Sequence, residues 1–465
     1  MHQLALPFVP SRRKYSSYRT RLAESLSDNL DFQNTNGEHS SHKLHSFPAK
    51  FPPQLPHKFI SELTEKDDVV LDPMMGSGTT ILEAFLLNRI AWGFDIDPLA
   101  ILLSKVKTRT YDKRTLRNIS EEVVTKAKAN LNQNPTLLEK QILNRFDKKT
   151  LEFLNYWFAP ETQLELMALI YEVESVKDTT LRDFLMLVMS STIITKTGGV
   201  SLAYDLAHTR PHKAKVVVSK TGRIVVGNDQ DFDAPRVKLL TKKLRSPIEE
   251  FEKRLLQNIQ GVLESVDVLN FPPQFCYGNA QAMPIPERSV DLIVTSPPYA
   301  SNAIDYMRAH KFSLVWLGYP ISDLGLVRQK YIGGESLMGI ELVALPGKVK
   351  AVINKVAEES PSKGRALHRY YLEMNLVLKE MFRVLKPGKA SIVVVGNSTL
   401  VGQDVMVVDS LAEIGCQHGF QVPMVGVRQL NRDKRMLPAS LKVGQFSQIQ
   451  QRMHEEFVIG FYKPE

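Results

Sequence analysis

The sequence has few of the features that define several common protein classes. Only two of its 465 residues are cysteines, Cys276 and Cys416, and two distant cysteines form neither a disulfide framework nor a metal cluster. No apolar run approaches the roughly 20 residues that cross a bilayer, and no stretch of signal-peptide type follows the first few residues. The eleven histidines show no paired metal-ligand spacing. We therefore expect no metal site, no membrane partner and a cytoplasmic location.

The chain is basic, and its positive charge is concentrated in the middle. Its net charge is +9, with a pI near 9.2. Residues 105–150 hold 12 Lys or Arg against 5 Asp or Glu, and residues 208–245 hold 10 against 3. Such an excess favours a polyanionic partner. Charge alone is equally compatible with a mildly basic protein that binds no nucleic acid.

The first hundred residues change from a polar segment to an alternating pattern of strands and helices. Residues 1–44 are polar and basic, and we expect a loosely ordered arm there. From Val69 the pattern predicts a buried strand (69–71), a Gly-rich turn, an apolar helix (81–88) and a second strand (90–94). This is a βαβ unit, which implies a parallel sheet with helices on its faces.

A long segment then interrupts the alternation. Residues 105–269 are rich in Lys, Glu, Leu and Gln at helical spacing, and we interpret them as a largely helical insertion. The alternation resumes with buried strands at 290–295 and 391–395, and the runs 420–430 and 456–462 are expected to be closing strands. The length of the chain agrees with two domains or with one core that carries a large insertion.

The first motif is Asp72-Pro-Met-Met-Gly76-Ser77-Gly78-Thr79-Thr80, directly after the first strand. Two glycines there allow a tight turn and the close approach of a ligand to backbone N–H groups at a helix start. Asp95, at the end of the next strand, lies 17 positions beyond Gly78, as expected of a carboxylate that binds the hydroxyls of a ribose. The turn alone is also compatible with NAD, a phosphate or simple packing. It is not a P-loop, because no Gly-Lys-Ser/Thr follows.

The second motif, Thr295-Ser296-Pro297-Pro298-Tyr299, follows a predicted strand at the sheet edge where open α/β folds bind ligands. Prolines remove N–H donors and leave carbonyl acceptors, which suits an exocyclic amine with two N–H groups. The Tyr299 ring offers a face on which an extruded base can stack. Taken alone, the sequence Pro-Pro-Tyr is also compatible with an ordinary loop or a partner-binding motif.

Together the two motifs resemble the amino-methyltransferase family of DNA modification enzymes. In that family a loop of the form D-P-F-x-G-S-G-T binds S-adenosylmethionine, and a (D/N/S)-P-P-(Y/F) loop binds the target amine. The Pro-rich segment 45–53 resembles the family segment that contacts the methionine end of the cofactor, and Gly278-Asn279-Ala280 resembles the segment beside the adenine ring. The cofactor-binding residues implied by this resemblance are Phe47, Pro48, Asp72, Pro73, Met74, Gly76, Gly78, Thr79, Asp95, Asn279 and Ala280.

The resemblance implies an α/β S-adenosylmethionine-dependent methyltransferase fold of Rossmann-like type, with a mostly parallel sheet and a largely helical insertion. Residues 45–104 and 270–465 would form the catalytic core, and residues 105–269 would recognise the DNA target. The residues implied to be catalytic are Ser296, Pro297, Pro298 and Tyr299. In the family Ser-Pro-Pro-Tyr accompanies cytosine N4 more often than adenine N6, so we expect an enzyme that methylates cytosine N4. Methylation of cytosine C5 is disfavoured, because neither cysteine follows a proline.

Three departures from the family pattern affect these expectations. Met74 stands where the family usually has Phe, which leaves an apolar rather than an aromatic contact. Asn279 replaces the usual Asp, so the amide oxygen would hold the adenine amine. The insertion lies between the ribose acid and the adenine segment, whereas the family's commoner recognition insert follows the latter.

The expected partners are double-stranded DNA with an extruded base and a cognate restriction endonuclease. Residues expected to contact nucleic acid are Arg210, His212, Lys213, His310 and Lys311. An RNA base methyltransferase and a catalytically inactive DNA-binding homologue remain alternatives from the sequence. An NAD-dependent dehydrogenase is disfavoured, because Ser296-Pro-Pro-Tyr299 would then have no role.

Overall fold

The computed structural model describes residues 17–32, 40–48, 50–195, 199–206, 211–227, 241–263, 271–300, 305–333, 344–430 and 455–465. The helices in these ranges are α1 (Tyr18–Ser27), α2 (Gln54–Leu63), α3 (Thr79–Leu86), α4 (Pro98–Lys107), α5 (Lys113–Gln133), α6 (Pro135–Arg145), α7 (Lys148–Trp157), α8 (Pro160–Ser175), α9 (Thr179–Ile193), α10 (Pro247–Gly261), α11 (Met307–Leu314), α12 (Ile321–Gln329), α13 (Gly347–Glu359), α14 (Pro361–Val384) and α15 (Val407–Gln417), with a short 3-10 helix at Ser40–Lys43. The strands are β1 (Val69–Asp72), β2 (Ile90–Asp95), β3 (Ala203–Asp205), β4 (His212–Lys213), β5 (Val216–Val218), β6 (Ile224–Val226), β7 (Thr241–Lys243), β8 (Gln274–Tyr277), β9 (Val290–Thr295), β10 (Leu385–Gly396), β11 (Thr399–Leu400), β12 (Gln403–Asp404), β13 (Gln421–Gln429) and β14 (Glu455–Tyr462).

Seven of the described strands form the main sheet, in the order β13-β14-β10-β9-β1-β2-β8. The five strands from β10 to β8 are parallel to one another, whereas β14 is antiparallel to both β10 and β13. The predicted α/β fold with a mostly parallel sheet is confirmed. Because parallel strands end at the same edge, the loops after β1, β2 and β9 share one edge of the sheet.

Helices cover both faces of this sheet. Leu71 and Ile293 lie on the face that packs against α14 and α15, whereas Val70 and Leu292 lie on the face that packs against α1, α2 and α3. Every residue of β9 is buried. Burial on both faces explains why the central strands are continuous apolar runs rather than alternating patterns.

Helix α1 packs on the sheet. Leu22 and Leu26 are fully buried against it. A Cβ at Gly460 of β14 would lie 2.3 Å from Leu26 Cδ1, so glycine at this position allows the helix to approach the strand closely. The expectation of a loosely ordered arm over residues 1–44 is therefore wrong for α1. Residues 1–16 lie outside the described residues.

The segment between β2 and β8 is mainly helical, as predicted. Helices α5 to α10 enclose a core that contains Phe184 and Phe251 and that they share with α4. Strands β3 to β7 form two small sheets beside it. Phe312 and Trp316, which follow β9 in the chain, are buried in the same core. Among the described helices none has the length and apolarity needed to cross a membrane.

Candidate active site

The loop between β1 and α3 carries the glycines of the first motif. Gly78 has a φ of +70° and precedes α3, and a Cβ there would lie 2.3 Å from Ser104 Oγ on α4. Glycine is therefore required for both the backbone conformation and the packing of the two helices. The Gly76 N–H donates to Asp95 Oδ2 at 2.8 Å, which fixes the loop against the end of β2.

Asp95 ends β2 and faces the same loop. Its Oδ1 accepts a hydrogen bond from the Asp97 N–H at 2.8 Å, so both carboxylate oxygens are oriented by the backbone. Burial, and after it the charge of Asp97, raises the pKa of Asp95 to about 7. A carboxylate held in this way keeps lone pairs with which to accept from the hydroxyls of a ligand.

Asp97 lies in a buried polar cluster that the sequence did not indicate. Its Oδ2 is 2.5 Å from His310 Nδ1 and accepts from the Tyr331 hydroxyl at 2.9 Å. Burial acts to raise the pKa of Asp97, but the charge and hydrogen bond of His310 outweigh it, so the pKa is lowered. The His310 side chain is 0% exposed. The expectation that His310 contacts a DNA phosphate is therefore wrong, because its ring is enclosed by protein.

Asp72 connects the two motifs directly. This buried residue ends β1, and its Oδ1 accepts from Thr295 Oγ1 of the neighbouring β9 at 2.7 Å. The same oxygen accepts from the Met74 N–H at 3.1 Å. Burial raises the pKa of Asp72 to about 6. The Gly-rich loop and the Ser-Pro-Pro-Tyr loop therefore leave adjacent strands that share one carboxylate.

The Ser-Pro-Pro-Tyr loop leaves β9 at the same edge. Pro297 is buried, whereas Ser296, Pro298 and Tyr299 are half-buried. The Tyr299 hydroxyl donates to Glu456 Oε1 of β14 at 2.9 Å. The loop thus presents a serine and a proline to the open edge, and the end of its tyrosine is bound to the antiparallel part of the sheet.

One cavity of about 570 Å³ is lined by both loops, including Gly76, Ser296 and Pro298. This volume is within the range of small-molecule sites. The predicted meeting of the two loops at one edge is confirmed. The cavity is lined by the predicted cofactor residues Phe47, Asp72, Pro73, Met74, Gly76, Thr79, Asp95, Asn279 and Ala280. Its lining does not include the predicted cofactor residues Pro48 and Gly78 or the predicted catalytic residues Pro297 and Tyr299.

Comparison with known proteins shows similarity to DNA methylases. A family model described as DNA methylase matches residues 7–106, which include the Gly-rich loop and Asp95. The chain is 26% identical over 407 residues to the type II methyltransferase M.MvaI of Kocuria varians. This alignment covers 82% of each of the two chains. The chain is also 24% identical over 447 residues to the type II methyltransferase M.AvaI of Nostoc sp.. That alignment covers 88% of this chain and 84% of the relative. These matches support a DNA amino-methyltransferase family for this chain.

The DNA amino-methyltransferases take their methyl group from S-adenosylmethionine, which is accordingly the cofactor of this chain. Among solved structures, a TehB-like SAM-dependent methyltransferase from Corynebacterium glutamicum aligns with 88% of this chain and 86% of its own, at 8% identity and a TM-score of 0.28.

Neighbouring groups hold both Phe47 and Asn279 in place. The Phe47 ring packs against the rings of Tyr306 and His310, with centroids 5.5 Å and 4.8 Å away. The Asn279 Oδ1 accepts from the Gln281 N–H at 3.0 Å, so a local turn already uses one of its lone pairs. Phe47 therefore has a fixed position in the cavity wall, and Asn279 has a fixed amide orientation.

The remaining residues expected to contact DNA lie apart from the cavity. His212 is exposed on β4, and Lys213 Nζ lies 4.5 Å from the centre of the Tyr156 ring. Lys311 is half-buried, with its Nζ 5.3 Å from the centre of the Phe153 ring. Arg210 lies outside the described residues.

The sequence interpretation also missed cationic residues in the cavity wall. Lys50 lines the cavity and donates to the carbonyls of His45 and His42 at 2.7 Å and 3.2 Å. Burial lowers the pKa of Lys50 to about 8. Lys330 and Lys363 are exposed residues of the wall formed by the segment after β9. Only Lys50, which lies within the Pro-rich segment 45–53, had a sequence signal close to it.

Proposed function

We propose that this DNA methyltransferase transfers a methyl group to the exocyclic N4 amine of cytosine in double-stranded DNA. The observation that carries the proposal is the single cavity lined by the Gly-rich loop and by Ser296 and Pro298. A donor held on one loop and an amine held on the other would lie close together, and positioning of this kind supplies much of the rate of a transfer reaction.

The cofactor half of the cavity fits a nucleoside ligand. Asp95 would accept hydrogen bonds from the two ribose hydroxyls, and Asn279 and Ala280 would lie beside the adenine ring. Phe47 and Met74 provide apolar contacts, and Asp72 holds the Gly-rich loop in place. S-adenosylmethionine, when bound, supplies a methyl group on a sulfonium centre. Lys50 would place a positive charge where the carboxylate of the methionine end can bind.

The amine half of the cavity would hold the base. The Ser296 oxygen and the carbonyls next to Pro297 would accept from the amine, because the prolines contribute no competing N–H donors. Accepting from its N–H groups draws the amine nitrogen toward a tetrahedral geometry and frees its lone pair for attack. The Tyr299 ring would stack on the base, and closure of the cavity would remove water from the amine.

The choice of cytosine over adenine rests on Ser296. In the family, serine at the start of this loop accompanies cytosine N4 more often, and aspartate accompanies adenine N6 more often. Hydrogen-bond geometry alone does not derive this preference, since both amines offer N–H donors. Adenine N6 is the second candidate, and an RNA base would present similar groups.

We assign DNA recognition to residues 105–269, which contain much of the positive charge. His212, Lys213 and Arg210 would contact phosphates, which position a duplex without reading its sequence. The target base would leave the stack to reach the cavity. Because the relatives are named type II methyltransferases, we include a cognate restriction endonuclease in the proposal.

Mass spectrometry of nucleosides tests the proposal most simply. DNA from cells that express the chain is digested, and the nucleosides are compared with those from cells expressing the Tyr299→Ala variant. We expect N4-methylcytosine in the first sample only. N6-methyladenine alone would overturn the base assignment. Methylated bases in RNA but not in DNA would identify an RNA enzyme, and no methylation would identify an inactive homologue.

A further inference from the structure

Lys107, the last residue of α4, is a buried lysine behind the Gly-rich loop. It is 0% exposed, and its Nζ donates to the Ser77 carbonyl at 2.6 Å. Ser77 lies between the two glycines of the loop and lines the cavity, whereas Lys107 is not part of the lining. The lysine therefore contacts the loop from the side that faces the protein interior.

The burial of this amine has a cost that an apolar side chain would avoid. Burial lowers the pKa of Lys107 well below its usual value. An uncharged amine still carries N–H donors, so the contact with the Ser77 carbonyl does not depend on the protonation state. This contact is what distinguishes a lysine from an apolar residue at the position.

The peptide group between Ser77 and Gly78 is held at both ends. Its N–H donates to the Met75 carbonyl at 2.7 Å, which closes a four-residue turn, and its carbonyl accepts from Lys107. A peptide group is planar, so its N–H and its carbonyl point in opposite directions and rotate together. The Met75 contact fixes one end of the group, and the Lys107 contact fixes the other.

Glycines on both sides of Ser77 make the Lys107 contact important for the shape of the loop. Gly76 has a φ of +46° and Gly78 a φ of +70°. Glycine adopts both signs of φ readily, so the peptide group beside it can rotate at a small steric cost. Rotation would turn the Ser77 carbonyl away from Lys107 and toward the cavity, and it would break the hydrogen bond from Gly78 to Met75. Lys107 opposes this rotation, because the carbonyl would leave its buried donor.

Helix α4 gives Lys107 a firm support. One turn earlier, Ser104 packs so closely on the loop that a Cβ at Gly78 would lie 2.3 Å from its Oγ. The Lys107 carbonyl accepts from Ser41 Oγ at 2.6 Å, and the Asp97 side chain caps the start of the helix. The amine of Lys107 is thus presented to the loop from a fixed position.

We propose that Lys107 is a positioning residue for S-adenosylmethionine. It holds the Ser77–Gly78 peptide group in one orientation, so that the Gly-rich loop has its cofactor-binding shape before the cofactor arrives. This inference rests on the proposed role of the Gly-rich loop in cofactor binding. When a loop is binding-competent for only a fraction of the time, the apparent Kd rises by the inverse of that fraction. Loss of the Lys107 contact should therefore weaken cofactor binding.

The substitution Lys107→Met tests the inference, because methionine fills a similar space and has no N–H donor. We expect the Kd of S-adenosylhomocysteine, measured by isothermal titration calorimetry, to rise about tenfold, the effect of one buried hydrogen bond. The KM for S-adenosylmethionine should rise by the same factor. Saturating cofactor selects the competent loop, so kcat and the KM for DNA should change little.

The matched control is Lys105→Met on the same helix, where the side chain is partly exposed. Its cofactor Kd should equal the wild-type value. Thermal unfolding separates positioning from a general structural effect. An apolar residue removes the cost of burying an amine, so Tm should fall little in Lys107→Met while cofactor affinity falls. If Lys107→Met unfolds under the assay conditions, Lys107→Leu takes its place with the same expectations.

Deuterium exchange of the loop, followed by mass spectrometry of fragments that span residues 74–80, reports the orientation of the peptide group. Without ligand, exchange should be faster in Lys107→Met than in the wild-type chain, because rotation breaks the bond from the Gly78 N–H to Met75. With saturating S-adenosylhomocysteine the two rates should converge, since the ligand selects the same loop shape in both proteins.

An unchanged cofactor Kd in folded Lys107→Met would overturn the inference, and so would a raised Kd with unchanged exchange of the loop. Unfolding of both the Met and the Leu variant would also overturn it, since Lys107 would then be required for folding. Asp95→Asn distinguishes these failures from failure of the proposed cofactor site. If Asp95→Asn weakens cofactor binding and Lys107→Met does not, only the role of Lys107 fails. If neither variant weakens it, the proposed cofactor site fails.

Discussion

Cofactor binding should depend on pH near neutrality because of Asp95. Burial, and then the neighbouring Asp97, raises the pKa of Asp95 to about 7. Both of its oxygens already accept from backbone N–H groups, so the lone pairs left for ribose hydroxyls are fully present only on the charged carboxylate. Protonation replaces an acceptor with a donor. Affinity should therefore fall as the pH falls through the pKa and should level off above it.

The size of the effect follows from the charged fraction. With a pKa of about 7, Asp95 is about 90% charged at pH 8 and about 10% charged at pH 6. If only the charged form binds well, the apparent Kd should rise about tenfold between these values. Isothermal titration calorimetry at constant ionic strength measures this Kd. The ligand is S-adenosylhomocysteine, which carries the same ribose.

Asp95→Asn is the control for this titration. The amino group of the ligand also titrates, but it contributes equally to both proteins. The variant should bind more weakly, and the ratio of its Kd to that of the wild-type chain should shrink as the pH falls from 8 to 6. A ratio that stays constant over this range would refute the assignment of Asp95 as an ionised ribose ligand.

Three further predictions concern packing and DNA binding. Gly78→Ala should lower the free energy of unfolding by about 2–4 kcal/mol in urea, from left-handed strain plus a steric clash. Gly222→Ala is the control, because Gly222 has a φ of +85° and nothing lies within 4 Å of the added Cβ. It should lose only the free energy that comes from backbone strain. An equal loss of stability in the two variants would contradict a steric clash at Gly78. His310→Ala should lower Tm, because an unpaired buried Asp97 costs about 3–5 kcal/mol. The same variant should leave the salt dependence of DNA affinity unchanged. A shallower salt dependence would show that His310 contacts a phosphate after all. Lys213→Ala should reduce the slope of log affinity against log salt by about 0.9 in fluorescence anisotropy, and an unchanged slope would remove Lys213 from the interface.

The parts of the site that the sequence predicted are determined locally. Two glycines in a turn between an apolar strand and an apolar helix permit few other structures. Asp72 and Ser296 come directly after buried strands, and parallel strands end at one edge. Both motifs could therefore be placed at that edge from the sequence, whereas the direct pairing of β1 with β9 is a long-range contact that only the structure shows.

The parts that were missed depend on contacts between distant segments. His310 meets Asp97 across 213 residues, and its neighbour Lys311 made the pair look like an exposed basic patch. Tyr299 meets Glu456 across 157 residues, in a strand that was predicted without any role in the site. The short, polar sequence of α1 carries only a few buried leucines, so its docking on the sheet had no clear periodic signal.

The central claim is that one cavity holds both the cofactor and the target base, on separate loops. The most direct measurement is single-turnover transfer of a radiolabelled methyl group from S-adenosylmethionine to duplex DNA by Tyr299→Ala, with the cofactor Kd determined on the same preparation. We predict that transfer is lost and that cofactor affinity is retained. Transfer at the wild-type rate, or loss of cofactor binding together with transfer in a folded protein, would contradict the claim.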